Sequence, residues 1–313
     1  MAEPLVSICV ITYNSSETIV ETLESFKGQT YKPLELVISD DNSKDNTIDI
    51  IKKWIDENNE HFAEIKLIEN SENHGPAINL DTAIKNSNGK WIKILAGDDK
   101  LTSNCIEEFV KYSKTTDKEF FVSNLKAFSD DESFVLSNIQ NFFNSLKNKE
   151  LLSLNRKKKL ILKELFSVGP TWFFSKELYN KIGGIAPQYP MLDEWPLLYK
   201  VFSSNNDIFV INKFLVEYRV SKKSLSHSKL PNIKLLKDNI NFYKSVRRRE
   251  MIKNFMFIYV IDQDLYYKEQ EKIISYYEKT GKIRKNYFYD FYNLLKESTK
   301  KIILFLKQKI NHK

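Results

Sequence analysis

Two adjacent carboxylates, Asp98 and Asp99, follow an apolar run that covers residues 91–95 except for Lys93. A run that is apolar on both faces is typical of a strand inside a parallel sheet, and ligands bind beyond the carboxyl ends of such strands. Paired oxygen donors at that place suit a hard divalent ion, Mg²⁺ or Mn²⁺, that holds a phosphate-bearing ligand. Gly97-Asp98-Asp99 is also good chemistry for a plain surface turn, so the rest of the chain must decide between the two interpretations.

Acids cluster in two further places along the chain. Residues 34–39 predict a second strand, which ends at Asp40 in the segment DDNSKDNT. A second acidic pair, Asp193-Glu194, stands at the head of a helical pattern, where the positive end of the helix dipole favours acids. The two acids can stabilise the start of the helix and take part in chemistry at the same time.

Strand and helix patterns alternate without a break from residue 5 to residue 95. Apolar, β-branched runs are separated by segments whose apolar residues recur at helical spacing. This alternation predicts an α/β fold with a doubly wound parallel sheet, in which Asp40 and Asp98 face one crevice.

The turn after the first strand reads Tyr13-Asn14-Ser15-Ser16 and contains no glycine. A dinucleotide-binding fold needs a glycine-rich turn there, and no P-loop motif is present either. Any phosphate charge must therefore be met by a metal ion or by basic side chains. Asn14 is the expected cap of the following helix, because Glu17 stands three positions later.

Length and composition describe a globular chain: 313 residues, 42% of them hydrophobic, are enough for one or two packed domains. Residues 1–4 lead directly into the first predicted strand, so we expect no secretory leader, and no apolar segment approaches the roughly 20 residues that span a bilayer. Cys9 and Cys105 are the only cysteines, one in a predicted strand and one in a predicted helix. We expect no disulfide, and a reducing cytoplasm as the location.

The charge of the chain is divided between its two parts. Residues 221–313 carry 22 Lys and Arg against 9 Asp and Glu, a net charge of +13, whereas residues 1–220 carry 26 against 32, a net charge of −6. We therefore expect one unit over residues 1–220, which holds the acidic candidate site residues, and a basic, aromatic-rich helical region over residues 221–313. Such asymmetry favours an anionic partner for the second part.

Seven motifs together resemble the inverting GT-A glycosyltransferases of family 2, which build bacterial surface polysaccharides. They occur in the family's order and are SICVITYN at 7–14, SFKGQTY at 25–31, SDDNSKDNT at 39–47, NHGPAINLDTAI at 73–84, GKWIKILAGDD at 89–99, KIGGI at 181–185 and LDEWPLLYK at 192–200. The resemblance covers about residues 5–219. It implies a GT-A fold, which is a doubly wound mixed, mostly parallel sheet flanked by helices, here with a C-terminal helical extension.

The resemblance also implies which residues meet the nucleotide of a UDP-sugar donor. Thr12, Tyr13 and Asn14 match the first nucleotide-contacting segment of the family, and Asp40 matches the acid that reads the uracil edge. Tyr13 could stack on the base, although a tyrosine at a strand end is more often part of a core. Asn79 precedes the fourth strand, where similar enzymes place a residue near the nucleotide, and a helix-surface or capping role is the alternative.

On the metal side, Asp98 matches the family's acid near the ribose and diphosphate, and Asp99 matches the acid that ligates Mn²⁺ or Mg²⁺. The family motif often has a further acid where this chain has Ala96, which leaves one fewer candidate ligand. His74 and His227 are candidates for a third ligand. The histidine usual after the Tyr-Arg pair of the family is replaced by Ser221.

The family usually has Glu-Asp where this chain has Asp193-Glu194, with the aspartate as general base. By register Glu194 takes the base position, and Asp193 is the alternative base. A carboxylate there can take the proton of an acceptor hydroxyl, and one base acting in one displacement implies inversion at the anomeric carbon. The interchange and the missing acid at 96 also motivate an alternative, a non-catalytic sugar-nucleotide-binding or membrane-associated subunit of a polysaccharide assembly complex.

The basic region from 221 onwards combines lysines with many tyrosines and phenylalanines. This composition suits a bilayer surface, and residues 300–310 are long enough to lie in the headgroup layer but too short to span. It agrees with an acceptor carried on a polyprenyl diphosphate and with a peripheral position on the inner face of the plasma membrane. The alternative is a helical tail that packs on the catalytic domain or forms a homo-oligomer. No nucleic-acid recognition module is present, so we expect no nucleic-acid partner.

Overall fold

The computed structural model describes residues 2–131, 149, 151–221 and 232–282. Its strands are β1 Val6–Thr12, β2 Leu34–Asp40, β3 Glu64–Glu69, β4 Trp91–Ala96, β5 Lys100–Leu101, β6 Phe120–Phe128, β7 Trp172–Ser175 and β8 Phe209–Arg219. Its helices are α1 Ile19–Lys27, α2 Thr47–Asn58, α3 Pro76–Lys85, α4 Cys105–Ser113, α5 Leu154–Ile161, α6 Lys176–Lys181, α7 Glu194–Ser203, α8 Ile233–Phe242, α9 Arg248–Lys253 and α10 Phe257–Thr280.

All eight strands form one sheet in the order β3-β2-β1-β4-β7-β6-β8-β5. The first four strands are parallel, because a helix crosses over between each strand and the next. Beyond β4 the sheet is mixed, since β7 runs antiparallel to both β4 and β6 while β8 runs parallel to β6. The predicted doubly wound, mixed and mostly parallel sheet is confirmed.

Helices cover both faces of this sheet, which is why the central strands are apolar on both sides. One buried cluster lies under α1, α2 and α4, with Leu23, Trp54 and Phe109 among its members. The other lies under α3 and α7 and includes Leu80 and Leu198. A two-faced core of this kind fixes the strand ends, and therefore the loops beyond them, in relation to one another.

The register of the parallel strands brings the predicted site residues to one edge. Thr12 pairs with Asp40 across β1 and β2, and Ile11 pairs with Ala96 across β1 and β4. Because these pairs lie at the carboxyl ends of their strands, the loops that follow all leave the sheet at the same edge. Asp98 follows Ala96 by two residues and lies at this edge as well.

The helix after β1 begins later than the sequence predicts. The N-cap of α1 is Thr18, and no side chain caps it. Asn14 is not a helix cap: its backbone is left-handed, with φ of 51°, and its side chain bonds to the next loop instead. The capping prediction was wrong because the Asn14 amide found a partner from a distant part of the chain.

The described residues beyond 232 form helices that pack on the rest of the protein. Phe242 of α8 makes edge-to-face contacts with Trp195 and Tyr199 of α7, with ring centroids 6.4 and 6.1 Å apart. Arg247 is the last residue of a π-helical segment, Tyr243–Arg247, that joins α8 to α9. Its guanidinium lies 3.8 Å from the centre of the Trp195 ring. The sequence left open whether this region packs on the catalytic domain; residues 232–282 do so, and residues 300–310 lie outside the described residues.

Candidate functional site

The loops after β1 and β2 are joined through Asp40. Thr12 donates from its hydroxyl to Asp40 Oδ2 at 2.6 Å, and Ser43 donates to the same carboxylate from its backbone N–H and its hydroxyl at 2.8 and 2.6 Å. Asp40 and Thr12 are both buried. The carboxylate is thus held in one orientation at the edge of the sheet.

Asn14 makes the second connection between the same two loops. Its backbone N–H donates to the Ser43 hydroxyl at 2.8 Å, and its side-chain oxygen accepts from the Lys44 N–H at 2.8 Å. Tyr13, beside it, leaves half of its surface exposed. Tyr13 is therefore not part of the core, and its ring is available to a planar ligand beside Asp40.

Asn79 is not on the helix surface and is not a cap, because it is buried and is the fourth residue of α3. Its amide nitrogen donates to the Ser39 carbonyl at 3.0 Å, and its amide oxygen accepts from Asn70 at 3.0 Å. These contacts fasten α3 to the end of β2. The described contacts of Asn79 are with protein, and a contact with nucleotide stays a prediction.

Asp41 is a positioning residue beside the candidate site that the sequence analysis did not single out. Its two carboxylate oxygens accept from the backbone N–H groups of His74 and Gly75 at 2.9 and 2.8 Å. Gly75 has φ of +90°, and a Cβ there would lie 2.6 Å from the Pro190 carbonyl oxygen. Asp41 therefore sets the start of α3 against the loop that leads to α7; the repeated acid of the DDNS motif was the only sequence signal.

The turn that carries Asp98 and Asp99 is held by Arg219, the last residue of β8. The Arg219 backbone N–H donates to Asp99 Oδ1 at 2.8 Å, and its Nε donates to the Asp98 carbonyl at 3.0 Å. Its remaining nitrogens bond to Glu21 and Asp130. The surface-turn interpretation is excluded for Asp99, which is 1% exposed.

The second oxygen of Asp99 fits a cation. Asp99 Oδ2 is buried and has no hydrogen-bond partner within the described part of the chain. Burial and the neighbouring Asp98 raise the pKa of Asp99 well above its usual range, and burial raises the pKa of Asp98 as well. A divalent ion relieves both effects, because it supplies the missing partner and the missing positive charge.

A third metal ligand is not present among the described residues, which contain no group of three His, Cys, Asp or Glu side chains that could hold an ion. His74 Nδ1 lies 3.7 Å from Glu72, and the His74 backbone N–H is held by Asp41. His227 lies outside the described residues. Asp98 and Asp99 remain the metal candidates that the structure brings together.

Lys93 is a fully buried cation beneath this turn. Its amine donates to the carbonyls of Pro170, Ile94 and Trp172, of which the latter two lie at 3.1 and 3.3 Å. Burial lowers the pKa of Lys93 to about 8, while the nearby Asp99 carboxylate acts in the opposite direction. The lysine thereby joins β4, which leads to the acidic turn, to the segment Gly169–Thr171.

Gly169–Thr171 in turn positions Glu194, the first residue of α7. The Gly169 N–H donates to Glu194 Oε1 at 2.6 Å, and a Cβ on Gly169 would lie 3.3 Å from that oxygen. The segment immediately precedes β7, which is antiparallel to β4, so it lies beside the carboxyl end of β4. Glu194 and the Asp98-Asp99 turn therefore border the same end of the sheet.

Asp193 and Glu194 are each partly exposed, although protein surrounds both carboxyl groups. Desolvation, with a further contribution from the Asp193 charge, raises the pKa of Glu194 to about 8, against the Gly169 hydrogen bond. Desolvation likewise raises the pKa of Asp193, which is the N-cap of α7 but makes no side-chain capping bond. A carboxyl group that titrates near neutrality has the property that a general base needs.

Solved structures share this fold at low sequence identity. A crystal structure of S. aureus TarS 1-349 in complex with UDP-GlcNAc matches with a TM-score of 0.59 and 19% identity, over 78% of this chain and 66% of that chain. The mannosyltransferase PcManGT from Pyrobaculum calidifontis, in complex with GDP-Man and Mn²⁺, matches with a TM-score of 0.60 and 20% identity, over 79% and 65%. The architecture is the GT-A fold of nucleotide-sugar glycosyltransferases, as the motifs predict.

The chain belongs to glycosyl transferase family 2, whose sequence model matches residues 7–183, more than half of its length. One relative is the E. coli protein UDP-Glc:alpha-D-GlcNAc-diphosphoundecaprenol beta-1,3-glucosyltransferase WfaP, with 37% identity over 120 residues. That alignment covers 38% of this chain and 45% of the relative, so the chain spans less than half the length of the relative it matches. Family membership favours an enzyme over the non-catalytic subunit considered from the sequence.

Proposed function

We propose that the protein is an inverting, metal-dependent transferase that moves a hexosyl-type unit from a UDP-sugar to a hydroxyl of a lipid-linked precursor of a surface glycan. Family membership supports the reaction class. The name of the E. coli relative includes both a UDP-sugar donor and a diphosphoundecaprenol acceptor, and TarS is in complex with UDP-GlcNAc. The observation that carries the proposal is the common edge shared by the Asp98-Asp99 turn and Glu194.

The donor half of the site consists of the two loops joined by Asp40 and Asn14. The buried Asp40 carboxylate accepts the imino N–H of uracil, for which a fixed acceptor at a strand end is well suited. The exposed Tyr13 ring offers a face on which the base stacks. Thr12 orients Asp40 through its hydroxyl, so it acts on the nucleotide through that carboxylate.

Asp99 Oδ2 is the atom that would hold the divalent ion, Mn²⁺ or Mg²⁺, with Asp98 beside it. When bound, the ion stabilises the charge that builds on the diphosphate leaving group. Arg219 keeps Oδ1 of Asp99 engaged through a backbone hydrogen bond, so Oδ2 is the oxygen left to bind the ion. Lys93 supplies positive charge from below the turn.

Glu194 acts on the acceptor half of the site as the general base. The Gly169 N–H holds one carboxylate oxygen and leaves the other to accept the proton of the acceptor hydroxyl as that hydroxyl attacks. Asp193, the alternative base, lies at the start of the same helix. A single base acting opposite the leaving diphosphate gives one displacement, and therefore inversion of the anomeric configuration.

A donor panel tests this proposal. Purified protein with Mn²⁺, individual UDP-sugars and a polyprenyl-diphosphate-linked acceptor should release UDP with one preferred donor, and the product should have the anomeric configuration opposite to that of the donor. Asp99→Asn should abolish release, and Glu194→Gln should reduce it by about 10²- to 10⁴-fold because the base is lost. Asp117→Asn, remote from the site, is the matched control. Retention of configuration, or full activity in Asp99→Asn and Glu194→Gln, would refute the proposal.

The location of the protein follows from the acceptor. A polyprenyl-linked substrate requires an enzyme that works at a membrane surface, so we place the protein on the cytoplasmic side and in peripheral contact with the bilayer through residues 221–313. Within the described ranges the structure contains no helix that is long and apolar enough to cross a membrane.

A further inference from the structure

The last described helix, α10, presents one continuous exposed face with an unusual composition. Ile258 and Ile261 are 82% and 62% exposed, and Leu265 beside them is also exposed. The same face continues with basic and aromatic side chains, and positions three or four apart stack along one side of a helix. We call this face the α10 stripe; its members are Ile258, Ile261, Leu265, Lys268, Lys272 and Tyr276.

The opposite side of α10 packs against the rest of the protein. Val260, Tyr267 and Ile274 are buried and belong to a cluster that also contains Met251 and Leu162. These residues fall about half a helical turn away from the stripe. The stripe is therefore the outer face of a helix that is already packed, and its apolar side chains contribute nothing to that packing.

Phe255 extends the exposed apolar surface just before α10. It is 82% exposed, and its ring contacts Phe257 with ring centroids 6.2 Å apart. Its backbone is left-handed, with φ of 57°, a conformation that glycine and asparagine adopt far more readily than a bulky residue. A phenylalanine here is unfavourable both for the backbone and for exposure to water, so it gives the isolated fold no benefit.

We infer that the α10 stripe and Phe255 form the surface by which this protein docks on an anionic lipid bilayer. The inference rests on the proposed function, because a lipid-linked acceptor brings the enzyme to such a surface. Exposed isoleucine and phenylalanine side chains enter the apolar boundary, while lysines and tyrosine remain at the headgroup level.

The net charge of this end of the chain favours a bilayer, and not a second copy of the chain, as the partner of the α10 stripe. The stripe contains two lysines; Glu269, which follows Leu265 by four residues, borders it and pairs with Lys272 at 2.5 Å. Residues 232–282 as a whole carry 11 Lys and Arg against 7 Asp and Glu. Residues 283–313 add 8 against 2, so this whole end of the chain attracts anionic headgroups. Two copies of this end of the chain, each with a net positive charge, would repel each other in a twofold contact.

The stripe belongs to the same packed unit as the proposed base. Arg247, at the end of the π-helical segment that leads to α9, stacks on Trp195, the neighbour of Glu194. It also donates to the Leu162 carbonyl at 2.8 Å and to the Tyr267 hydroxyl of α10 at 2.9 Å. Docking through α10 therefore places the acceptor half of the site in a fixed relation to the bilayer that carries the acceptor.

Vesicle sedimentation of the full-length protein tests the inference. We expect binding to vesicles of two parts phosphatidylcholine and one part phosphatidylglycerol, and weaker binding to phosphatidylcholine alone. The double variant Phe255→Asn, Ile258→Asn should lose more than about tenfold in partitioning, since two apolar side chains no longer leave water. Lys268→Gln with Lys272→Gln should lose about fivefold for each lysine, and only on the anionic vesicles.

Matched control variants distinguish a loss of vesicle binding from a loss of folding. Asparagine accepts the left-handed backbone at 255, so the first variant should melt at or above the temperature of the parent protein. Phe214→Asn removes an exposed phenylalanine from β8, and Lys85→Gln removes an exposed lysine of α3 that, like Lys272, has an ion pair within its own helix. Neither control should change partitioning.

Two results would overturn the inference: unchanged vesicle binding in both stripe variants, or a parent dimer in sedimentation equilibrium that the variant Ile258→Asn dissociates. The second result would assign the stripe to another copy of the chain. UDP release with a water-soluble acceptor analogue measures the transfer reaction independently of vesicle binding. Stripe variants should keep that release, whereas Asp99→Asn should lose it and still bind vesicles.

Discussion

The protonation of Glu194 depends on a neighbour of the same charge. Burial and the Asp193 carboxylate raise the pKa of Glu194, the proposed general base, to about 8, so this carboxyl group is largely neutral at lower pH and becomes charged as the pH rises. A base must be charged to accept a proton. The value of kcat/KM should therefore rise with pH through about 8 in the parent protein.

The variant Asp193→Asn tests this dependence. Because it removes a like charge, it should lower the pKa of Glu194 and move the rising limb of the pH–kcat/KM profile to lower pH, with the fold intact. Asp117→Asn, an exposed change at the opposite edge of the sheet, should leave the limb in place. If Asp193→Asn abolished activity at every pH, Asp193 and not Glu194 would be the base.

Several site residues could be predicted from the sequence because they are local features of strand ends. Asp40 and Asp98 follow apolar runs, and parallel strands bring their ends together. Arg219 could not be predicted in the same way: its bond to Asp99 joins residues 120 positions apart. The contacts of Lys93 could not be predicted either. Its amine donates to the carbonyls of Pro170 and Trp172, which are distant from it in the sequence.

At the scale of elements, the start of α3 and the loop before α7 are packed too closely to admit a side chain between them. The Ala77 N–H donates to the Pro190 carbonyl at 3.0 Å, and Gly75 lies against the same carbonyl with φ of +90°. The sequence predicted α3 from Pro76 in its first turn and α7 from the helical pattern after Asp193-Glu194, and the structure confirms both helices. It could not predict their contact, which depends on a backbone conformation in each of two distant loops.

Gly75→Ala should therefore lower both stability and activity. The added Cβ is strained by its backbone and would lie 2.6 Å from the Pro190 oxygen, so we expect a loss of about 2–4 kcal/mol in the free energy of unfolding. Movement of the 186–192 loop should also displace Glu194 and lower kcat. Urea denaturation and steady-state kinetics measure the two effects.

Gly183→Ala separates backbone strain from steric overlap. Gly183 has φ of +73°, but no atom lies within 4 Å of the place that an added Cβ would occupy. The variant should lose about 1 kcal/mol through strain and keep its kcat. Equal losses of stability in the two variants, with kcat unchanged in both, would contradict the proposed contact between α3 and the loop.

At the scale of the whole molecule, Arg247 connects the C-terminal helices to the GT-A domain. It is buried, stacks on Trp195, and donates to the Leu162 carbonyl. Burial lowers the pKa of its guanidinium, yet an arginine stays charged at all relevant pH values. The helices from 232 to 282 are therefore fastened by a desolvated cation and not only by apolar contact.

Arg247→Met should cost about 3 kcal/mol of stability, because the Leu162 carbonyl and the Tyr267 hydroxyl lose their buried partner. Arg249→Met is the matched control. Arg249 is exposed and pairs with Glu250 at 3.5 Å, so its loss should change stability by less than about 0.5 kcal/mol. Thermal denaturation of both variants measures the difference, and identical melting temperatures would mean that the guanidinium does not hold the helices.

The contact of Gly75 and Ala77 with Pro190 restricts how the cleft can open. It ties the donor half, which α3 borders, to the acceptor half, which begins at the loop before α7. A hinge between the halves would have to break this backbone contact, and rotating one half alone would expose an unpaired carbonyl. Substrate entry and product release should therefore proceed through rearrangement of surface segments around a rigid frame, without swinging one lobe against the other.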